Sequence, residues 1–515
     1  MKSGGLLINY LGQAWSALLS FVFIPFYIKY LGPESYALVG FYAVFQAWMS
    51  ILDSGLSQYI QREAGRIGGQ IWQKDAYFLR RYLARLVYLS EGVAVALSAV
   101  SIAIGFFFSL YFAGTWFQAD LIQPALIKKA IVLMSLAIAI RFFESFYRAV
   151  LLGSQRYWFV NLHTIVFSTL RSFGALLLLV LFNVDVVSFF WWQLFIAAWS
   201  VIAFKAYLSF RLGVPLGVWL RSSPSPSPSP AISFKPSPMT FAKGAYGLAL
   251  LSTLIFQADR VVLSRVLPMY EYGYFSAAAG LSAIILLMIA PVSAYFFPQL
   301  CIAYESNNRQ IFRQCFCLGT QIIVVTTGSI ALMSSMISEQ ALFAWSQDAL
   351  MAKSIAPTLS FLMLGNFLNV LTFMPYLALL AAGNTVRWLR IYILFALLYV
   401  SILFLVAQSY GALGSSASWF CMNLCLVFVV SRFGFEDFTS GFCRDWLLRS
   451  IIYPVLPAFS AATICGIGMK QLEYLSRLEF LFLFVLAVFL VSICALFFAR
   501  DLRSHVLKKI VFLSA

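Results

Sequence analysis

The feature that most constrains this chain is a succession of apolar runs, each long enough to cross a bilayer. A spanning helix needs about 20 mostly apolar residues, because the hydrocarbon core is roughly 30 Å thick and an α-helix rises about 1.5 Å per residue. Such runs recur near 6–31, 36–61, 86–113, 126–148, 158–182 and 187–209, then near 244–267, 273–299, 315–338, 354–381, 388–409, 413–431, 449–468 and 479–499. The pattern predicts an all-α polytopic membrane protein with about 14 transmembrane helices. Composition agrees: 62% of the 515 residues are hydrophobic and 10% are charged, which excludes a large soluble catalytic domain, a secreted disulfide scaffold and a disordered chain. The run that follows Lys2 and ends at Leu31 is longer than a signal-peptide core, so it reads as a first permanent span.

The net charge of +16 is a topology signal. With both termini cytoplasmic, the inner segments hold 25 Lys and Arg, among them Arg62, Arg66, Arg80, Arg81, Arg85, Arg148, Lys205, Arg313 and Arg449. The outer segments hold seven, from Lys29 to Arg477. Cytoplasmic loops carry an excess of basic residues in inner-membrane proteins, so this orientation explains the surplus without a nucleic-acid partner. Neither a metal centre nor a cofactor is expected. The chain has only His163 and His505, and its eight cysteines, all beyond residue 300, lack CxxC spacing.

A Ser/Pro-alternating stretch, Ser222 to Pro238, lacks a packable apolar face and reads as a cytoplasmic tether. It divides the chain into an N-terminal lobe over 1–210, a linker over 211–240, a C-terminal lobe over 241–409, and additional helices with a tail over 410–515. A weak repeat crosses the linker. YLGPESYALVGFY, Tyr30 to Tyr42, aligns without gaps on VLPMYEYGYFSAA, Val266 to Ala278, and LLGSQRY, Leu151 to Tyr157, faces AAGNTVR, Ala381 to Arg387, with Gly153 against Gly383. Parallel repeats place a central cavity between two lobes.

Ionisable residues within the spans are few: Asp53, Glu91, Arg141, Glu144, Arg171, Asp259 and Arg260. Each costs about 2.5 to 3.5 kcal/mol at a helix centre on insertion scales, so they face protein or water rather than lipid. Gln46, Ser50, Asp53 and Ser57 fall on one strip of the second span, at 100° per residue. Asn9, Gln13, Ser16 and Ser20 repeat that spacing in the first span, and Thr253, Gln257, Arg260 and Ser264 repeat it in the seventh. Asn161, Thr164, Ser168 and Arg171 form a looser strip in the fifth. Such stripes serve either interhelical hydrogen bonding or the wall of a hydrated cavity. The arginines favour a cavity walled by spans one, two and seven, with Arg171 and Arg260 as its basic groups. Arginine keeps its charge and offers fixed paired donors, a match for phosphate and hence for an anionic cargo. Arg141, Glu144 and Arg148 have the spacing to neutralise one another, Asp259 points about 100° from Arg260, and Glu91 and His163 are read as satisfying neighbouring helices. Aromatic residues, 17% of the chain, are platforms for sugar rings or lipid-interface anchors.

Asn9, the turn Leu31-Gly32-Pro33, the stretch LDSGLSQYIQRE from Leu52 to Glu63, LLGSQRYWFVN from Leu151 to Asn161 and LLAAGNTVR from Leu379 to Arg387 together resemble the polysaccharide, or O-antigen, flippases of the multidrug/oligosaccharidyl-lipid/polysaccharide exporter superfamily. The resemblance implies two helical lobes that alternately open a cavity to either side of the bacterial inner membrane, moving an undecaprenyl-diphosphate-linked oligosaccharide outward without making or breaking a bond. It implies substrate contacts from Arg171, Arg260, Arg141, Gln257, Asn161, Gln46, Gln13 and Asn9, with Asp53, Glu144 and Asp259 as coupling or structural charges. Membrane lipids, a coupling proton or sodium ion and polysaccharide-assembly proteins are the further partners it implies. A drug/cation antiporter of the same superfamily and a membrane glycan polymerase or glycosyltransferase are the competing readings. The first span lacks the embedded carboxylate of many proton-driven antiporters, and no long outer loop offers a polymerase its acid–base groups.

Overall fold

The computed structural model describes residues 4–71, 76–182, 184–212, 239–383, 385–433, 442–472 and 476–504. Most of the expected linker, together with Lys2, Lys74, His505, Lys508 and Lys509, lies outside the described residues. The described chain is helical with no strand among its described residues. It divides into two compact units, 1–239 with 267–273 and 240–266 with 274–515.

The first unit contains α1 (Gly4–Leu31), α2 (Pro33–Ile71), α3 (Ala76–Tyr111), the single turn α4 (Ala113–Trp116), α5 (Pro124–Gly153), α6 (Tyr157–Phe182) and α7 (Val186–Leu212). Gly32 takes φ +80°, a left-handed value that ends α1, and Pro33 opens α2 with φ already set. The Glu34 carboxylate, 4% exposed, then accepts backbone N–H bonds from Asp120 at 3.3 Å, Leu121 at 3.0 Å and Ile122 at 3.2 Å. Charge-assisted bonds of this kind tie the α4–α5 connection to the start of α2. Helices approach closely where glycine permits. A Cβ on Gly153 would stand 2.3 Å from the Gln61 carbonyl oxygen and 2.6 Å from the Ala64 Cβ, so α5 ends against the α2 backbone. A Cβ on Gly12 would meet the Asn161 side chain at 2.6 Å, and the Trp15 indole donates to Thr169 at 3.0 Å. These contacts lock α1 against α6.

The second unit contains α8 (Met239–Val266), α9 (Met269–Ser282), α10 (Ile289–Glu305), α11 (Arg309–Ile323), α12 (Ser329–Met336), α13 (Ser338–Ser346), α14 (Ala349–Leu371), α15 (Phe373–Ala381), α16 (Thr385–Phe433), α17 (Phe442–Asp445), α18 (Tyr453–Gln471) and α19 (Arg477–Phe498). The first turns of α9, through Gly273, belong to the first unit. Met333, Ile337, Ala462, Val491 and Ala495 are fully buried where α12, α18 and α19 meet. The Gln321 side chain joins this hairpin to α11, donating to Asp501 at 2.9 Å and accepting from the Leu502 backbone at 2.9 Å.

Eleven stretches of the described residues are long and apolar enough to cross a membrane, against an expectation of about 14 spans. The difference is local. Trp388–Arg432 takes in two expected spans and is broken at Gly411, whose φ of 55° and ψ of −135° are non-helical. The helices α5 and α8, which carry Arg141, Glu144, Asp259 and Arg260, are not among the eleven. At 30 residues α5 is about 45 Å long, sufficient to traverse the hydrocarbon core. The protein is a multi-pass, all-α membrane protein.

Replacing Gly153 by Ala forces a methyl group into the α2 backbone, and overpacking costs typically 1–3 kcal/mol. Gly92, with open space where its Cβ would stand, is the control. Thermal unfolding of the purified protein should show a lower midpoint for Gly153→Ala and none of that loss for Gly92→Ala. Equal midpoints would contradict the close packing of α5 on α2.

Candidate functional site

Four helices of the first unit enclose a cavity of about 390 Å³. From α1 comes Ser16; from α2, Gln46, Ser50 and Asp53; from α5, Arg141, Glu144, Ser145 and Arg148; and from α6, His163, Thr164, Ser168 and Arg171. The helical period explains the convergence. Residues spaced by three or four positions share one face, so each helix turns one polar strip inward and leaves apolar residues for its remaining surface. Ile138, Phe142 and Phe167 fill the gaps between the polar groups.

The charges are arranged unevenly. Arg148 pairs with Glu144 at 3.2 Å, one turn away on α5. Arg141 does not share that pair: its Nη1 donates to the Gln46 Oε1 at 2.7 Å, and its guanidinium lies 5.5 Å from the centre of the Tyr42 ring. Arg171 faces the cavity from α6, within electrostatic range of both Glu144 and Arg141. The Nε atoms of Arg141 and Arg171 are buried without a hydrogen-bond partner among the described residues. Ser145 reaches Asp53 and lies 2.9 Å from the Ser57 hydroxyl, linking α5 to α2 at the cavity wall. Three guanidiniums against two carboxylates leave the lining with a surplus of positive charge. Such a site attracts an anion and repels a cation.

The rotation of α6 that presents Arg171 is fixed by neighbours. Tyr27 of α1 donates to the Ser172 carbonyl at 2.9 Å, and Trp15 holds Thr169 two residues earlier.

Of the residues expected from the sequence, Gln46, Asp53, Arg141, Glu144 and Arg171 line this cavity. Asn161 is 3% exposed, donates to the Tyr157 carbonyl at 2.7 Å and packs against Gly12, outside the lining. Gln13 is exposed and is not among the lining residues, and the Asn9 side chain lies outside what is described. Gln257, Asp259 and Arg260 belong to the second unit. There the Asp259 carboxylate accepts the Arg260 backbone N–H at 2.7 Å, and the Gln257 Oε1 is buried without a partner among the described residues. Sequence reasoning walled the cavity with spans one, two and seven and took its basic groups from Arg171 and Arg260; Arg171 lines this cavity, and Arg260 belongs to the second unit. The cavity adds two arginines of α5 to Arg171: Arg141, and Arg148, which the sequence placed in an inner segment. The spacing Arg141, Glu144, Ser145, Arg148 was the available signal, since all four fall on one face of α5.

Glu91 has a structural partner set. It forms an ion pair with Lys205 of α7 and accepts from the Tyr147 hydroxyl of α5 at 2.6 Å, while Lys205 lies 5.6 Å from the Tyr147 ring centre. His163 is sandwiched between Phe204, at 3.7 Å, and Phe167, at 4.3 Å, with its Nε2 3.1 Å from the Ser200 carbonyl oxygen.

The described residues form a long-helix membrane fold with a charged cavity inside one unit. Known proteins of this build agree. The chain has a TM-score of 0.66 to the lipid II flippase MurJ in an inward closed conformation, at 13% identity, covering 96% of this chain and 99% of that one. It has a TM-score of 0.63 to an inward-facing multidrug resistance MATE family transporter of the MOP superfamily, at 15% identity, covering 89% and 96%. A protein of Shigella flexneri called "Putative O-antigen transporter" is 19% identical over 418 residues, 80% of this chain and 92% of that protein. A family model described as polysaccharide biosynthesis protein matches residues 4–301. The chain belongs to that family.

The Glu91 cluster yields a test that separates architecture from transport. Breaking a buried pair by removing one partner costs about 3–5 kcal/mol, because it strands the other charge. Lys205→Met should lower the unfolding midpoint sharply, and the double variant Glu91→Gln, Lys205→Met should recover most of the loss. A double variant as unstable as the single one would contradict the pairing.

Proposed function

We propose that this protein is a flippase that moves an undecaprenyl-diphosphate-linked oligosaccharide from the cytoplasmic to the periplasmic leaflet of a bacterial inner membrane, by alternating access, for cell-surface polysaccharide synthesis. The observation that carries the proposal is the set of Arg141, Arg148 and Arg171 lining one cavity against Glu144 and Asp53. Guanidinium is the side chain best matched to diphosphate, since it stays charged and donates in pairs. A cationic drug would meet a net repulsive lining, which weighs against the antiporter reading. Family membership and the similarity to a lipid II flippase and an O-antigen transporter support a lipid-linked cargo.

In this mechanism Arg171 and Arg141 offset the headgroup charge while the polyprenyl tail stays in lipid. The polar strips of α1, α2 and α6 receive glycan hydroxyls. Asp53 and Glu144, on the same lining, are the carboxylates offered for exchange of a coupling proton or sodium ion with the cargo. An inside-negative potential favours outward movement of an anion by about 2.3 kcal/mol per charge for each 100 mV crossed. The basic excess of the inner segments supports cytoplasmic termini.

The test compares Arg171→Lys and Arg171→Gln at equal membrane levels, reconstituted with a defined diphosphate-linked glycan and assayed for its appearance in the opposite leaflet. The Gln variant should lose at least about tenfold in rate, the equivalent of 1.4 kcal/mol, and the Lys variant should keep a substantial part of it. Full translocation by Arg171→Gln would remove the guanidinium from the mechanism.

A further inference from the structure

The second unit has a cavity of its own, about 220 Å³, built from α8, α10, α14, α15 and α16. Its character is opposite to that of the arginine-lined cavity. None of its lining residues is charged. Its walls carry Phe373 and Tyr376 of α15 and Trp388 and Tyr392 of α16, whose rings form a continuous series: Phe373 to Tyr376 at 5.9 Å, Tyr376 to Trp388 at 5.8 Å, and Trp388 to Tyr392 at 5.8 Å with the planes 27° apart. The series continues along α16 to Phe395 at 5.8 Å and Tyr399 at 6.1 Å, at positions four, seven and eleven after Trp388 and so on one helix face. The last ring rests on Trp419 at 5.3 Å. Trp388 and Tyr392 are thus held rigidly from behind, 4% and 6% exposed, while Phe373 and Tyr376 are half-buried.

The polar groups gather at the hydroxyl end of Tyr392. Ser252 and Asn369 hydrogen-bond the Tyr392 hydroxyl. The Asn369 amide donates to Asn423 at 2.8 Å, which fixes its orientation. Thr372 also lines the space. Flat apolar faces with a few fixed donors and acceptors near their edges recognise a ligand that is itself apolar on its faces and polar at its rim. A pyranose ring has that construction, with C–H bonds on its faces and hydroxyls around its edge. An isoprenoid chain would match the ring faces but make no use of the remaining hydrogen-bonding capacity of Asn369, Ser252 and Thr372, each already paired once within the protein. An organic cation would find ring faces but no carboxylate in the lining. At about 30 Å³ per water, the volume is that of roughly seven waters, room for one sugar ring and not for an oligosaccharide.

We infer that this cavity is a monosaccharide subsite: the Phe373, Tyr376, Trp388 and Tyr392 rings stack one pyranose unit, and Asn369, Thr372 and Ser252 bond its hydroxyls. The inference deepens the flippase reading by giving the glycan its own contact in the second unit, separate from the diphosphate. It rests on that reading for the source of the sugar. Binding itself requires no transport, so the two fail independently.

The experiment uses the full-length protein in nanodiscs and saturation-transfer difference NMR with N-acetyl-D-glucosamine, D-galactose and L-rhamnose as free sugars, with geraniol and tetraethylammonium as the alternative probes. The wild type should transfer saturation to ring C–H protons of at least one sugar. Trp388→Leu and, independently, Tyr376→Leu should reduce that transfer at least tenfold, with unfolding midpoints recorded for both. Because Tyr376 is half-buried, its variant reports on the site even if Trp388→Leu fails to fold. Arg171→Gln should leave sugar transfer unchanged, while reducing flipping if the flippase reading holds. Transfer to geraniol or tetraethylammonium in place of the sugars, no transfer to any sugar, or sugar transfer indifferent to the Tyr376 change would overturn the subsite.

Discussion

An arginine within a membrane-spanning helix must find protein or water, because hydrocarbon offers its charge nothing. That constraint organises the first unit. Arg141 and Arg171, with Glu144 and Asp53, cannot face lipid, so α1, α2, α5 and α6 turn their polar strips toward one another and enclose the space where these groups meet. The pairs they form are incomplete. Glu144 is bonded to Arg148, Arg141 leans on a neutral glutamine, and two buried guanidinium nitrogens find no partner among the described residues. A purely structural network would be expected to close its bonds, as Glu91, Tyr147 and Lys205 do nearby. Two arginines that line the cavity thus keep a donor that the described residues leave unpaired.

Small residues and aromatic anchors give those charges their placement. Gly12 lets Asn161 against α1, Gly153 lets α5 end on α2, and the hydrogen bonds from Trp15 and Tyr27 set the rotation of α6. Without a hydrophobic drive between helices in lipid, close packing of this kind and interhelical bonds carry the association. The same contacts that hold the unit together therefore aim its arginines. Asn161 illustrates how the two roles divide: it shares the polar strip of α6, yet its amide is turned to packing and its own helix.

Much of this was legible in the sequence because it depends on local period. The apolar runs became helices, and the strips containing Gln46, Asp53 and Arg171 reached one cavity, since residues three and four apart share a face whatever the tertiary arrangement. The identity of the facing helix was not legible. Nothing in the spacing of Arg141, Glu144 and Arg148 says whether they neutralise one another or separate to bond α2, and the outcome, one pair and one separated arginine, depends on where Gln46 and Tyr42 stand. The aromatic series on α16 was also written in the sequence, at Trp388, Tyr392, Phe395 and Tyr399, but among 17% aromatic residues it has no distinguishing mark until its partners on α15 are in place. The aligned pair Gly153 and Gly383 shows why equivalence by sequence is not equivalence by cause. Gly153 is demanded by contact with α2, whereas Gly383, at φ +74° with open space around it, is demanded by its backbone.

The most direct test of the account asks whether water and a diphosphate both reach the arginine-lined cavity. Ser50 lines it and is exposed within it, so a lone cysteine there, in a background with the native cysteines replaced, reports access to a membrane-impermeant thiol reagent. The account predicts ready labelling, strongly slowed by a polyprenyl-diphosphate glycan and left unchanged by the corresponding polyprenyl alcohol. An unreactive cysteine, or equal protection by the uncharged alcohol, would contradict it.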